Sequence, residues 1–162
     1  MTTTRVRASG PLSAKIAIVG MAPANEEVRT GRPFMGPSGQ ILNEGLSRLG
    51  ISRDEVFVTN LVEFPIATTS VYDLPPAVLE PEFTRLMAEL EAVQPNVVIP
   101  LGNDPLKMLC GLEGITKWRG SILQSALPGN NNYKCVPSIH PAWIVRGMSK
   151  WKAVFWHIDL AR

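Results

Sequence analysis

Short apolar runs recur along the chain, separated by stretches whose apolar positions fall three and four residues apart. The runs Ile16-Ala17-Ile18-Val19, Val56-Phe57-Val58, Val97-Val98-Ile99 and Cys135-Val136 are continuous and rich in β-branched residues, the mark of strands buried on both faces. They predict strands over Lys15–Gly20, Glu55–Leu61, Asn96–Leu101 and Tyr133–Ser138, with Ile122–Leu123 a candidate for a short extra one. Ile41, Leu42, Leu46 and Leu49 share one helical face, with Ser38 available as N-cap and Gly50 as terminator. Phe83, Leu86, Met87 and Leu90 repeat the pattern over Pro81–Gln94, a helix opened by Pro81 and stopped by Pro95. A short helix over Asp104–Leu112 follows, then a helical turn over Ala142–Gly147 and a last helix over Met148–Arg162. Residues 1–13 are polar and expected to be loosely held.

Strands alternating with helices predict a single α/β domain over residues 1–162. Its expected architecture is a four-stranded parallel sheet between two layers of helices, α/β/α. Two segments break the alternation. Residues 62–80 form a long, Pro-containing loop, and loops of that length in a compact domain are usually functional or mobile. Gly20 to Gly39, after the first strand, is stiffened by Pro23, Pro33 and Pro37 and opened by Gly20, Gly31, Gly36 and Gly39. In open α/β sheets, ligands bind beyond the carboxyl ends of the strands, where this loop lies. Phe34 within it has no periodic neighbours, so it either closes the core under the loop or faces a ligand.

Composition narrows the classes. At 162 residues, 45% hydrophobic and 19% charged, the chain can bury a core as one globular domain. A net charge of +2 allows a nucleic-acid partner without demanding one. Cys110 and Cys135 lie outside any CxxC pairing and read as buried thiols, so no metal cage is expected. No apolar run approaches the ~18 residues of a membrane span, and MTTTRVRASG lacks the apolar core of a secretion signal. A cytoplasmic protein, without membrane association and acting as a monomer, is expected.

Three chemical groups end strands: Gly20–Phe34 follows the first, Asn60 ends the second and His140 ends the fourth. In a parallel sheet these ends share one edge, so a ring, a carboxamide and an imidazole converge there. In order, GMAPANEEVRTGRPFMGPSGQIL, VFVTNLV, VVIPLGNDPLKMLCG, GITKWRG and VPSIHPAWIVR resemble the successive motifs of the uracil-DNA glycosylase superfamily, closest to its families four and five. The resemblance spans nearly the whole chain and implies hydrolysis of the N-glycosidic bond of uracil, or a related pyrimidine, flipped out of DNA.

It also implies roles. Asn60 would donate to O4 and accept from N3–H of the base, a pattern that cytosine inverts. Phe34 would stack on the base, and His140 would bind O2 as negative charge builds on the leaving group. Glu27 matches an acidic position near the C5 edge, while Gly20, Met21, Ala22, Pro23 and Ala24 would shape the wall. Ala22 stands where the most active relatives carry a water-activating Asp, as it does in family four; Met21 replaces the family's Glu, and Ala24 replaces a Gly or Tyr. Val62-Glu63-Phe64 stands where family four commonly has Lys-Cys-Arg, so the resemblance implies a cluster-free, slow relative with no cofactor. For DNA, Lys117, Arg119, Arg146, Lys150 and Lys152 are candidate phosphate contacts, and Trp143 or Ile144 a candidate wedge. A competing reading keeps the fold as a DNA- or modified-base-binding module whose chemistry was lost through Met21 and Ala22.

Overall fold

The computed structural model describes residues 4–129, 132–147 and 159–160. Its elements in chain order are β1 (Ile16–Gly20), α1 (Asn25–Thr30), α2 (Pro37–Arg48), β2 (Phe57–Asn60), α3 (Pro76–Val93), β3 (Val97–Pro100), α4 (Asn103–Cys110), α5 (Ile115–Trp118), β4 (Leu123–Gln124), β5 (Lys134–Cys135) and α6 (Pro141–Gly147). The predicted last helix lies outside the described residues except for Asp159 and Leu160, and Lys150 and Lys152 lie outside them with it.

Among the described residues the sheet has five strands rather than four, in the order β2-β1-β3-β5-β4. β1, β2, β3 and β5 run parallel, while β4 pairs antiparallel with β5. The extra strand is the Ile122–Leu123 segment displaced by one residue, and the Ser125 N–H extends its pairing by donating to the Tyr133 carbonyl at 2.9 Å. β1 sits between β2 and β3 and is almost wholly buried, as its unbroken apolar run requires. Ile18, Leu42, Leu46, Leu86, Leu90 and Leu106 are fully enclosed and tie the helices onto the sheet.

Several boundaries differ from the periodic reading. The Gly20–Gly39 loop contains a six-residue helix, α1, closed by Gly31 in the left-handed conformation. α2 starts at Pro37 with Gly36, not Ser38, as its N-cap. α3 starts five residues earlier than expected, because Val78 and Leu79 already donate to the Pro75 carbonyl. Pro81 therefore lies inside the helix, where it forgoes one hydrogen bond. GITKWR forms the short α5 instead of an open loop.

The N-terminal segment is held rather than loose from Arg5 onward. Ser9 exchanges backbone hydrogen bonds with Val58 (2.9 and 2.8 Å), and Val6 donates to the Glu63 carbonyl at 2.6 Å. This covers the outer edge of β2, which would otherwise present unpaired backbone groups. Arg5 completes the attachment: its Nη2 donates to Glu63 Oε1 at 3.0 Å and to both carboxylate oxygens of Glu82 at 2.7 and 2.8 Å. Glu82 is 3% exposed, so its charge depends on such partners. Arg5→Ala should lower unfolding stability by about 1–2 kcal/mol, read as a shifted urea midpoint with little change in slope, since half of the Arg5 side chain is solvated.

Candidate active site

All four parallel strands end on one edge, and their hydrogen bonds continue past the strand ends. Gly20 is in register with Asn60, Leu61 donates to the Gly20 carbonyl (2.9 Å), Leu101 to Val19 (2.9 Å) and Gly102 to Ser138 (2.9 Å). The backbone around the site is therefore part of the sheet, which makes it a rigid platform. A cavity of about 700 Å³ opens there, on the edge where the order reverses on either side of β1. Met21, Ala22, Ala24, Glu27, Phe34, Asn60, His140 and Trp143 all line it. Gly20 and Pro23 are buried and do not line it; Gly20 packs behind Asn60 and Phe34.

Asn60 is 4% exposed at the end of β2. Among the described residues its carboxamide makes no hydrogen bond, although its backbone carbonyl accepts from Arg85 Nη2 at 2.8 Å. A buried carboxamide on a cavity wall with unmet donor and acceptor capacity is suited to a ligand that supplies both. Gly20 makes room for it: a Cβ there would lie 2.5 Å from Asn60 Oδ1 and 2.7 Å from Phe34 Cζ.

Phe34 closes the core and lines the cavity at once. It is 4% exposed within the core cluster, and its ring also lines the cavity, stacked with His140 at 5.6 Å between centroids and 28° between planes. Its backbone is left-handed, with φ of 54°, a conformation costly for a bulky residue. Two features hold it. Gly39 lets the Phe34 carbonyl approach α2, for a Cβ on Gly39 would stand 1.7 Å from that oxygen. Arg53 donates to the Pro33 carbonyl at 2.6 Å, to the Phe34 carbonyl at 3.3 Å and to Asn43 Oδ1 at 3.0 Å.

His140 follows β5 and precedes α6. The Ala142 N–H donates to its Nδ1 at 3.0 Å, and the Trp143 N–H donates to its carbonyl at 2.9 Å. Because Nδ1 accepts, the ring proton of the neutral imidazole sits on Nε2, which becomes the donor. In α6, Trp143 is 39% exposed while Ile144 is 5% exposed. The structure thus separates the two wedge candidates: Ile144 belongs to the core and Trp143 borders the cavity. The Arg146 side chain lies outside the described residues.

The cations after α4 divide. Lys117 is exposed, with Nζ 5.1 Å from the centre of the Trp118 ring. Arg119 does not join a surface rim. It is paired with Asp159, Nε donating at 2.9 Å, and Asp159 also accepts from Ser138 Oγ at 3.0 Å. Asp159 is 5% exposed and needs a counter-charge, so Arg119 turns inward and braces the strand that delivers His140.

Sequence reasoning missed the far wall. Asp104 accepts from Ser70 Oγ (2.9 Å) and from the Val71 N–H (2.8 Å), anchoring the 62–75 loop so that Thr68 and Thr69 face the cavity. Lys107 sits over the Tyr72 ring at 4.5 Å, and burial, with Asp104 nearby, pushes the Tyr72 phenol up to about 12. Asn103 Oδ1 accepts from the Ile115 N–H at 2.9 Å, fixing α5 to the start of α4. The signal for these anchors was only the polar character of residues at a strand end.

The residues do not fit an iron–sulfur cluster. Glu63, where the resemblance places a cysteine, is engaged by Arg5, and Cys110 and Cys135 are buried in the core. Among the described residues no three His, Cys, Asp or Glu side chains are grouped to hold a metal, and no helix is long and apolar enough to cross a membrane.

A profile of the Uracil DNA glycosylase superfamily matches residues 8–160. The chain is 32% identical over 149 residues to the Type-4 uracil-DNA glycosylase of Thermotoga maritima, covering 91% of this chain and 74% of that protein. It is 33% identical over 148 residues to the Type-4 uracil-DNA glycosylase of Pyrobaculum aerophilum, covering 87% and 73%. It is also 33% identical over 143 residues to a DNA polymerase of Bacillus phage SP01, matching 87% of this chain but only 15% of that polymerase.

Gly39→Ala tests the geometry around Phe34. Alanine inside a helix normally stabilises by about 1 kcal/mol relative to glycine. Here the clash with the Phe34 carbonyl reverses the sign, and thermal and urea unfolding should show a loss of roughly 1–3 kcal/mol.

Proposed function

The chain belongs to the uracil DNA glycosylase superfamily, and we propose that it removes uracil from DNA by hydrolysing the N-glycosidic bond. The observation that carries this reading is the buried Asn60 carboxamide beside the Phe34 ring and His140, at one rigid sheet edge. The names of its relatives agree with it.

The cavity sits at a strand edge, and a base within a duplex cannot reach it, so the nucleotide must be flipped. Trp143, which is exposed and lines the cavity, would fill the vacated stack. Phe34 covers one face of the base. Asn60 Nδ2 donates to O4 and Oδ1 accepts from N3–H; cytosine would face each of these with a like group, at a cost of about 1–3 kcal/mol per unmet bond. As the C1′–N1 bond breaks, its electron pair moves into the uracil ring and charge gathers on O2. His140 Nε2–H donates there, and its tautomer is already set by the Ala142 N–H. Water then adds to the cationic C1′ and loses a proton, leaving an abasic site. Ala22 offers that water no carboxylate, so its alignment falls to backbone groups, and turnover is expected to be slow.

Single-turnover cleavage of an oligonucleotide containing one uracil, with alkaline scission of the product, tests the reading. His140→Ala should slow the step at least about a hundredfold, near 3 kcal/mol, while retaining affinity for an uncleavable uracil analogue. Asn60→Ala should lose both rate and discrimination against cytosine. No abasic product from the unaltered protein would overturn the activity.

DNA binding should weaken with salt, and Lys117→Ala should flatten the slope of log K against log salt by about one unit. The same substitution at Arg119 should instead destabilise the fold, because it removes the guanidinium paired with the buried Asp159.

A further inference from the structure

Helix α3 presents Glu82, Arg85 and Glu89 to the end of β2, and neither the base-reading scheme nor the core explains them. They lie at i, i+3 and i+7, one face of the helix. Their side chains are enclosed, with exposures of 4%, 18% and 17%. Buried charge of this kind needs a structural or functional reason.

Arg85 is the centre of the group. Its Nη2 donates to two successive backbone carbonyls, Asn60 at 2.8 Å and Leu61 at 3.0 Å. Its Nη1 contacts Thr59 Oγ1 at 3.4 Å and is paired with Glu89, which also accepts from Thr59 Oγ1 at 2.9 Å. Its Nε contacts Glu82 Oε2 at 3.4 Å. Glu82 in turn accepts from the Glu63 N–H at 3.1 Å and from Arg5. One planar fork therefore grips residues 59, 60 and 61, from the face of β2 opposite the cavity.

We propose that Arg85 is a positioning residue for base recognition: it fixes the two peptide planes that follow Asn60 and holds the Thr59 side chain before it, and so sets the direction of the Asn60 carboxamide. The inference rests on the reading of Asn60 as the base-reading group. Asn60 carries no hydrogen bond on its own side chain among the described residues, so its aim is set by its backbone and by packing against Gly20 and Phe34. The Asn60 and Leu61 carbonyls lie where the β2 ladder ends, and Arg85 takes the place of a neighbouring strand. Guanidinium is required because the grip needs donors in two directions at once, toward the carbonyls and toward Glu89. Glu82 and Glu89 aim the fork, and Arg5 extends the same network to the N-terminal segment. Burial pushes the Glu89 carboxyl up, an effect that Arg85 and Thr59 oppose.

The test is Arg85→Lys, which keeps the positive charge among the carboxylates but cannot span both carbonyls and Glu89. Arg85→Met, made alongside it, removes the charge as well; if it fails to fold, the lysine variant decides. In the ligand-free protein, the Asn60 side-chain amide pair in a 1H–15N spectrum should be single and sharp for the parent and broadened or doubled for Arg85→Lys. On DNA, Arg85→Lys should cut the single-turnover rate on uracil about ten- to hundredfold. It should also narrow the preference for a 2′-fluoro-deoxyuridine oligonucleotide over its 2′-fluoro-deoxycytidine counterpart, with affinity for undamaged duplex unchanged. An unaltered Asn60 amide pair in Arg85→Lys overturns the proposal, even if thermal stability falls, because the network would then be a staple only. A parent protein that leaves uracil uncut overturns the activity instead, and the amide measurement still decides the role of Arg85.

Discussion

A missing side chain at Gly20 is the constraint on which the site depends. The last residue of β1 is in register with Asn60, and a Cβ there would lie within 3 Å of both the Asn60 carboxamide and the Phe34 ring. Any side chain at this point would push one of them out of the cavity wall. The second gap, at Gly39, works in the same way from the helix side, admitting the Phe34 carbonyl that a left-handed backbone turns toward α2. The pocket is thus formed where sheet and helix approach more closely than side chains allow, and the ring and carboxamide are seated by contact with backbone. Such contacts do not relax easily, which is what recognition of a small planar base demands.

Charge does the corresponding work beneath the strand ends. Arg5, Glu63, Glu82, Arg85 and Glu89 form a connected set between the N-terminal segment, β2 and α3. Arg119, Asp159 and Ser138 form another behind the strand that leads to His140. Each set joins segments far apart in the chain, one behind Asn60 and the other behind His140, both on the cavity wall. Partnered charge of this kind contributes little net stability compared with apolar packing, but it holds direction, because hydrogen bonds to a guanidinium are angular in a way that apolar contacts are not.

The elements that were legible in the sequence are those whose signal is local. The strands were visible because they are continuous apolar runs, and Asn60 and His140 could be placed on one edge because parallel strands share their carboxyl ends. The ordered motifs identified the family, now supported by a profile across residues 8–160. Where the reading failed, the deciding partner lay elsewhere in the chain. A lone arginine after GITKW reads as a surface cation; Asp159, forty residues later, turns it inward. Residues 5–9 read as a loose polar tail until the open edge of β2 is there to receive them. Glu82, Arg85 and Glu89 carried no signal of their own, because periodicity reports which positions share a helix face but not what that face meets.

By itself, then, the sequence determined the alternation of strands and helices, the sheet edge on which chemistry collects, and the residue types that chemistry uses. Backbone propensity, hydrophobic period and strand polarity suffice for these. Tertiary structure decided the rest: that Phe34 both closes the core and lines the cavity, that Trp143 and not Ile144 is exposed, that the imidazole proton sits on Nε2, and that Arg85 grips the backbone of Asn60. Each depends on a close approach between segments distant in the chain or on the set of a particular turn. The energy of those contacts exists only once the sheet has brought the groups together.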